Sequence, residues 1–299
     1  FVNFHMWSPE IISRLCVLAL CENMETNYVK KLIIARNIFP ENPPLEVENW
    51  PWRIKIYTLE RFQIVRGESS VVFSKKAPKK IMEMLKLIIV LGGKDVPEAR
   101  IIDTLWQDAD GDAAHASFTT TLKRLRNLLG YDDAIALRNG RLTLNQRYCW
   151  VDVMAFEHLM GLADAASGAE PCNGAIACLD KAISLYKAGH HFIDFEDNQW
   201  SLMFYERLRS MFVRAVMRIG AHFEKMGKFD EAAAHYKRGI EREPLSENLY
   251  QSLMLCLHQS GHDGEALALY RSMSKVFSEV LGIEPSSKTR QIYQNLIAG

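Results

Sequence analysis

Residues 112–129 carry apolar residues on one side of a helical period and small, hydroxyl, amide and cationic residues on the other. The apolar positions recur every three or four residues, which predicts a helix with one buried face. The outer face suits a DNA groove, because small side chains permit close approach and polar groups can hydrogen-bond base edges. A solvated helix face is the alternative interpretation. The predicted buried stripe is Phe118, Leu122, Leu125 and Leu129, and the predicted base contacts are Ser117, Thr120, Lys123, Arg124 and Asn127.

Cations in three stretches around this helix are candidates for binding a phosphate backbone. The lysines of residues 75–80 precede another predicted helix, whose N-terminal dipole also favours phosphate. Arg138 and Arg141 flank an Asn-Gly turn. Phosphate contacts fix the register of a protein on DNA without reading its sequence. The interpretation requires the three stretches to lie on one side of one folded unit. The predicted phosphate contacts are Lys75, Lys76, Lys79, Lys80, Arg126, Arg138 and Arg141.

The charge of the chain is unevenly distributed along its 299 residues. The whole chain has 36 Lys and Arg against 36 Asp and Glu, which excludes a uniformly basic nucleic-acid binder. Residues 50–150 hold 17 basic and 11 acidic residues, whereas both flanking segments are net acidic. A basic segment between two acidic ones indicates that any anionic partner binds the middle of the chain.

Residues 52–150 are predicted to contain three strands, three helices and a hairpin, in that order. A turn at Gly67-Glu68 separates the second and third strands, and Asn139-Gly140 closes the hairpin, because Asn-Gly favours the tight turns of hairpins. Asp110 or Asp112 is expected to cap the third helix. The predicted strands are 53–57, 62–66 and 71–73, and the predicted helices contain Ile81–Ile89, Pro97–Trp106 and Asp112–Leu129.

The flanking segments are predicted to be helical. Two short helices are expected in residues 8–39, and the prolines from Pro40 onward indicate a linker. After Val151, similar residues recur with the period of 34 that is typical of tetratricopeptide units. Helix pairs of this kind bury their apolar faces only by stacking, which predicts a right-handed superhelical groove. The recurring pairs are Gly227 and Gly261, Ala232 and Ala266, and Tyr236 and Tyr270.

These motifs together resemble a known family of regulators. Residues 52–150 resemble an OmpR-type winged helix-turn-helix, with 123–126 (Lys-Arg-Leu-Arg) in the place of the basic recognition-helix motif. Residues 151–299 are similar to the bacterial transcriptional activator domain of SARP-type regulators, whose characteristic end resembles 281–290. The resemblance implies a mostly α-helical fold with little β structure, in which a winged helix-turn-helix domain precedes a tetratricopeptide-like α-helical superhelical domain.

The resemblance also implies partners and a division into domains. It implies sequence-specific activation of transcription on double-stranded DNA with directly repeated half-sites, and contact with RNA polymerase. Residues 50–150 are only moderately basic, which favours binding as a homodimer or on tandem sites. Residues 8–40 are similar to the tail of the helical sensor arm of MalT-type ATP-driven regulators. The chain starts with Phe, so we expect it to be the C-terminal part of a larger MalT/LuxR-like regulator. The predicted domains are 1–45 (helical remnant), 50–150 (winged helix) and 151–299 (activator domain).

Other classes of function find less support in the sequence. No catalytic residue, metal site or cofactor is predicted. Residues 92–94 (Gly-Gly-Lys) lack the spacing of a phosphate-binding loop and therefore do not indicate a nucleotide cofactor. Residues 190–197 cluster two histidines with three carboxylates that could ligate a divalent metal, although exposed loop residues are the commoner outcome. A tetratricopeptide scaffold whose winged helix does not bind DNA is the main alternative. Scattered cysteines and short apolar runs predict a cytoplasmic protein without a membrane segment.

Overall fold

The chain folds into two compact units, residues 1–155 and 156–299. In the computed structural model, the described residues are 8–60, 62–71, 79–166, 173–187 and 199–298. The first unit combines helices with two small sheets, and the second is helical. This mostly α-helical architecture with little β structure confirms the predicted fold class.

Two helices begin the first unit, as predicted. Helix α1 (Pro9–Cys21) starts with proline in its first turn, and α2 (Thr26–Arg36) ends at Asn37, whose φ of 47° is left-handed. The following segment was predicted to be a linker, and this was wrong for its second half. Leu45, Val47 and Trp50 are buried there, because their side chains fill the core of the unit.

A four-stranded sheet holds the start and the end of the winged-helix segment together. Its strand order is β3-β2-β1-β7, with β1 antiparallel to β2 and parallel to β7. The alternation predicted for β1 is confirmed, because Ile54 and Ile56 are buried while Lys55 and Tyr57 are half-buried. The strands are β1 (Ile54–Tyr57), β2 (Gln63–Arg66), β3 (Ser69–Ser70) and β7 (Cys149–Val151).

The third strand lies earlier than predicted. The turn at Gly67-Glu68 is confirmed, and Gly67 adopts a left-handed φ of 62°. Since the turn is this tight, pairing resumes at once, with Arg66 opposite Ser69. Strand β3 therefore occupies 69–70 instead of 71–73, of which residues 72 and 73 lie outside the described part of the chain.

Three helices and a hairpin complete this unit, as the sequence pattern predicts. The helices are followed by a hairpin whose turn residues Asn139 and Gly140 have φ values of 49° and 70°. Two positive φ values are typical of the type I′ turn that Asn-Gly favours. The hairpin pairs with a short strand that directly precedes the second of these three helices. The elements are α3 (Lys79–Val90), β4 (Val96–Pro97), α4 (Glu98–Leu105), α5 (Gly111–Leu129), β5 (Ile135–Arg138) and β6 (Arg141–Leu144).

Asp152 fixes the start of α6 (Asp152–Ala165) to the loop that follows β1. Its buried carboxylate accepts hydrogen bonds from the backbone N–H groups of Thr58, Leu59 and Val153 and from the Thr58 hydroxyl, at 2.5–2.9 Å. Burial raises the pKa of Asp152 to about 6, against the opposing effect of these hydrogen bonds. The carboxyl therefore binds its proton more tightly in the folded chain than in the unfolded chain.

This difference in proton affinity predicts a pH dependence of stability. Between pH 7 and pH 5 the folded state gains a proton at Asp152 that the unfolded state does not, so the contribution of this group to stability rises as pH falls. The unfolding free energy of the natural chain minus that of Asp152→Asn is expected to increase by about 1 kcal/mol over this interval. Urea denaturation of both chains at the two pH values measures the difference, and a decrease would contradict the assignment.

The second unit is built from helices that pack on their sequence neighbours, from α7 to α11, with α12 against α10 and α11. Gly220 allows α8 and α9 to pack closely, since a Cβ there would lie 2.1 Å from the buried ring of Tyr236. Gly227 and Gly261, one repeat apart, have φ values of 71° and 76°. The helices are α7 (Asn173–Leu185), α8 (Gln199–Lys225), α9 (Phe229–Arg242), α10 (Glu247–Gln259), α11 (Asp263–Leu281) and α12 (Ser287–Ala298).

Candidate nucleic-acid interface

Helix α5 is limited by two local signals at its ends. The Asp110 carboxylate accepts a hydrogen bond from the backbone N–H of Gly111 at 2.9 Å, which confirms Asp110 as the N-terminal cap. Gly130 ends the helix with a left-handed φ of 78°, and its N–H donates to the carbonyls of Arg126 and Asn127. An acidic residue at the start of a helix interacts favourably with the helix dipole, so the acidic residues near this turn have a structural role.

The two faces of α5 differ in burial as the sequence predicts. The four residues of the apolar stripe are each at most 3% exposed. They pack in the core with α3 and α4. Of the predicted base contacts, Thr120, Lys123, Arg124 and Asn127 are exposed and Ser117 is half-buried. The helix therefore presents hydroxyl, amide and cationic groups from a rigid support.

Lys123 and Arg124 carry the positive charge of this face. Neither side chain forms an ion pair with another residue in the described part of the chain. A cation without a carboxylate partner keeps its hydrogen-bond donors available for a phosphate or a base edge. The arrangement can therefore bind an anionic, groove-bearing partner.

Of the predicted phosphate contacts before α5, Lys79 and Lys80 have partners within the protein. Lys75 and Lys76 lie outside the described residues. Lys80 Nζ donates to the carbonyl of Leu105 at 2.9 Å and lies 3.3 Å from the carboxylate of Glu83, which is also 3.8 Å from Lys79 Nζ. Glu83 thus offsets part of the positive charge at the start of α3.

The predicted phosphate contacts after α5 lie on or beside the hairpin. Arg126 Nε donates to the carbonyl of Ile135 at 2.9 Å, which ties α5 to β5. One Nη of Arg141 donates to the carbonyl of Asp95 at 2.9 Å. Arg138 is exposed and forms no ion pair with any described residue. Arg126 and Arg141 therefore have structural contacts in addition to the phosphate contacts predicted for them, which stay predictions.

Two further cations lie beside the hairpin arginines, and the sequence did not predict either of them as a phosphate contact. Lys94 and Arg147 line a cavity of 430 Å³ together with Arg138 and Arg141. Both lie in loops that are distant from α5 in the sequence. The side chain of Asn145 accepts a hydrogen bond from the backbone N–H of Arg147 at 3.0 Å, and this local contact orders the loop. In the sequence, the run of three polar residues at 145–147 (Asn-Gln-Arg) could have indicated this exposed loop.

Three arginines along α8 are paired within the second unit. Arg207 lies 2.5 Å from Glu157, and Arg214 and Arg218 lie 3.6 and 2.5 Å from Asp164, so all three pair with carboxylates of α6. These contacts favour a role in fixing α6 to α8.

A metal site and a membrane-spanning helix are both absent from the described part of the chain. It contains no group of three or more His, Cys, Asp or Glu side chains that could hold a metal ion, and the cluster at 190–197 lies outside it. None of its helices has the length and apolar character needed to cross a membrane.

Similarity to known proteins covers both units of the chain. Residues 151–297 match the family described as the bacterial transcriptional activator domain. The regulatory protein AfsR of Streptomyces griseus is 24% identical over 220 residues, which cover 72% of this chain and 22% of AfsR. The regulatory protein DnrI of Streptomyces peucetius is 24% identical over 238 residues, which cover 73% of this chain and 84% of DnrI. The chain thus spans about a fifth of the length of AfsR.

A solved structure supports the fold. EmbR of Mycobacterium tuberculosis, described in complex with a low affinity phosphopeptide, is 21% identical, with a TM-score of 0.59 that covers 82% of this chain and 65% of EmbR. At this identity the likeness shows that the fold is shared. The match of the activator domain and the similarity to the two regulatory proteins identify the chain as a homologue of the SARP-type regulators AfsR and DnrI.

Proposed function

We propose that the chain is a sequence-specific DNA-binding transcriptional activator. The observation that carries the proposal is the outer face of α5, where Lys123 and Arg124 are exposed, without a carboxylate partner among the described residues, on a helix whose opposite face is buried. A helix supported in this way can enter the major groove and present its polar side chains to base edges. Homology to regulatory proteins supports the same function.

Each group of residues has a separate role in this proposal. Thr120, Lys123, Arg124 and Asn127 contact base edges, with Ser117 near the entry to the duplex. Arg138 and Arg141 contact phosphates next to the hairpin, and Lys79, Lys80 and Arg126 use the donors that their internal contacts leave available. Phosphate contacts contribute affinity and its salt dependence, whereas base contacts contribute specificity.

The proposal also covers the partners and location of the chain. Double-stranded DNA with directly repeated half-sites is the proposed ligand, and the helical unit is proposed to contact RNA polymerase or a second copy of the chain. No catalytic step is assigned to any residue. The cytoplasmic location, the domain boundaries near residues 45 and 150 and the larger MalT/LuxR-like parent protein are parts of the same proposal.

The affinity for DNA is expected to depend steeply on salt. On a plot of log K against log salt, each phosphate contact contributes a slope of about −0.9. Arg141→Ala is expected to reduce the slope by about 1 and to weaken binding equally on all duplexes. Arg141→Lys keeps the charge and is the matched control. Fluorescence anisotropy on a random-sequence duplex measures these slopes. If Arg141→Ala retained the full slope, Arg141 would not be a phosphate contact. If the natural chain bound no duplex at low salt, the proposed function would be contradicted.

A further inference from the structure

A cleft of the first unit, to which α5 contributes no residue, concentrates positive charge. This cleft of 1070 Å³ opens between α2, the start of β1, the hairpin and the loop before β7. Ligand sites for small molecules commonly have volumes of about 300–1,000 Å³, so this cleft is large enough for a nucleotide. Its lining residues come from five separate parts of the sequence, within 27–39, 50–55, 67–68, 131–138 and 145–148.

The side chains around the cleft are strongly unbalanced in charge. Six lining residues are Lys or Arg and two, Glu68 and Asp133, are acidic. In the described part of the chain, none of the six cations forms an ion pair. They therefore favour a ligand that carries several negative charges. The six are Lys30, Lys31, Arg53, Lys55, Arg138 and Arg147.

Two of these cations are held in place by aromatic rings. The guanidinium of Arg53 lies 5.3 Å from the ring centroid of Tyr131 and 5.0 Å from that of Tyr148. The guanidinium of Arg147 lies 5.1 Å from the ring of Phe39. Aromatic faces orient a guanidinium without neutralising it, so its N–H donors stay available for phosphate oxygens.

Lys55 shows that like charges are gathered at this site. It is half-buried on β1. Burial lowers its pKa, Glu48 opposes this effect, and the positive charge of Lys30 lowers the pKa further. Lys30 belongs to α2 and Lys55 to β1, so two elements bring ammonium groups into electrostatic contact. A bound anion would relieve this repulsion.

We propose that this cleft binds a small molecule that carries two or more phosphate groups, of the nucleoside polyphosphate class or of the inorganic polyphosphate class. The cleft has the volume of a small-ligand site, so a small polyanion can contact cations from several of its walls at once. The aromatic rings of Tyr131, Tyr148 and Phe39 provide flat surfaces beside the cations, which suits a ligand with a base. The cleft shares Arg138 with the proposed phosphate contacts, but α5 contributes no residue to it, so this proposal does not depend on base reading by α5.

Calorimetric titration of the full chain with ATP, pyrophosphate and adenosine tests the proposal. Both phosphate-bearing probes are expected to bind, while adenosine does not. Equal affinity for the two would assign recognition to the phosphates alone, and tighter binding of ATP would add contacts to the base; both results support the proposal. Binding of neither phosphate-bearing probe would overturn it.

Variants of the cleft locate the site. Lys55→Gln, and separately the double change Lys30→Gln and Lys31→Gln on α2, are expected to weaken pyrophosphate binding at least tenfold. Lys123→Gln, on the outer face of α5, tests that face as the alternative anion site, and Lys275→Gln, on an exposed part of α11, is the matched control and is expected to leave pyrophosphate binding unchanged. Thermal unfolding confirms that each variant is folded. If Lys123→Gln abolished binding while the cleft variants kept it, the anion would bind at α5 and the proposal would be overturned.

The same variants separate this proposal from DNA binding. The cleft variants are expected to bind duplex DNA within twofold of the natural chain at fixed salt. A tenfold loss of DNA affinity in both cleft variants would assign the cleft to the DNA backbone and overturn the small-ligand proposal, while leaving the proposed function intact. Loss of DNA binding in Lys123→Gln alone would leave the ligand proposal unaffected.

Discussion

Phe118→Ala is expected to destabilise the first unit by roughly 3–5 kcal/mol, because it removes a ring from the centre of the buried stripe. Phe118 is 1% exposed, and its ring lies edge-to-face against that of Trp106, with centroids 6.5 Å apart. Truncation to a methyl group leaves a cavity and also removes this aromatic contact. Urea denaturation followed by tryptophan fluorescence measures the change, since Trp106 is adjacent to the substituted site.

Two further substitutions test whether the loss of stability comes from the burial of Phe118. Thr120→Ala changes an exposed residue two positions along the same helix and is expected to alter stability by less than about 0.5 kcal/mol. Phe118→Leu retains most of the apolar volume and is expected to have an intermediate effect. If Phe118→Ala had no larger effect than Thr120→Ala, the orientation of α5 would be contradicted, and with it the choice of the outer face.

Arg124→Ala is expected to weaken binding to the preferred duplex by about 1–3 kcal/mol, which is roughly 5- to 150-fold, and to relax the preference at one base pair. Arginine can donate two parallel hydrogen bonds to guanine in the major groove, and alanine can donate none. Competition between the preferred duplex and single-base variants measures both quantities. Weakening by the same factor on every sequence would instead assign Arg124 to a phosphate.

Arg14→Ala is the matched control for this substitution. Arg14 is an exposed arginine of α1 that pairs with Glu10 at 2.8 Å, so its removal changes the charge of the same unit without altering α5. The natural sequence preference is expected to be retained in Arg14→Ala. A relaxed preference in both variants would indicate a general effect of charge and would contradict base reading by Arg124.

The elements of the winged unit could be predicted because their signals are local. The buried stripe of α5 follows from the helical period, its cap from Asp110, and the hairpin from Asn139-Gly140. These features depend on neighbours within a few residues, so the sequence pattern contains the necessary information. The candidate base contacts follow from the same period, since they lie opposite the stripe.

The contacts that depend on tertiary packing could not be predicted in this way. The hydrogen bond from Arg126 to the carbonyl of Ile135 joins two elements whose relative position is fixed by the core between them. The burial of Leu45 beyond the prolines has a similar origin, because its carbonyl accepts a hydrogen bond from the indole of Trp150, 105 residues later. The cleft beside α2 combines five separate segments, and no single segment has an unusual composition.

Selection of bound duplexes from a random pool, followed by footprinting, tests most directly whether the outer face of α5 reads DNA. The natural chain is expected to enrich one directly repeated motif and to protect it, while Lys123→Ala with Arg124→Ala is expected to enrich no motif although it remains folded. Enrichment of the same motif by both chains, or of no motif by the natural chain, would show that this face does not read a DNA sequence.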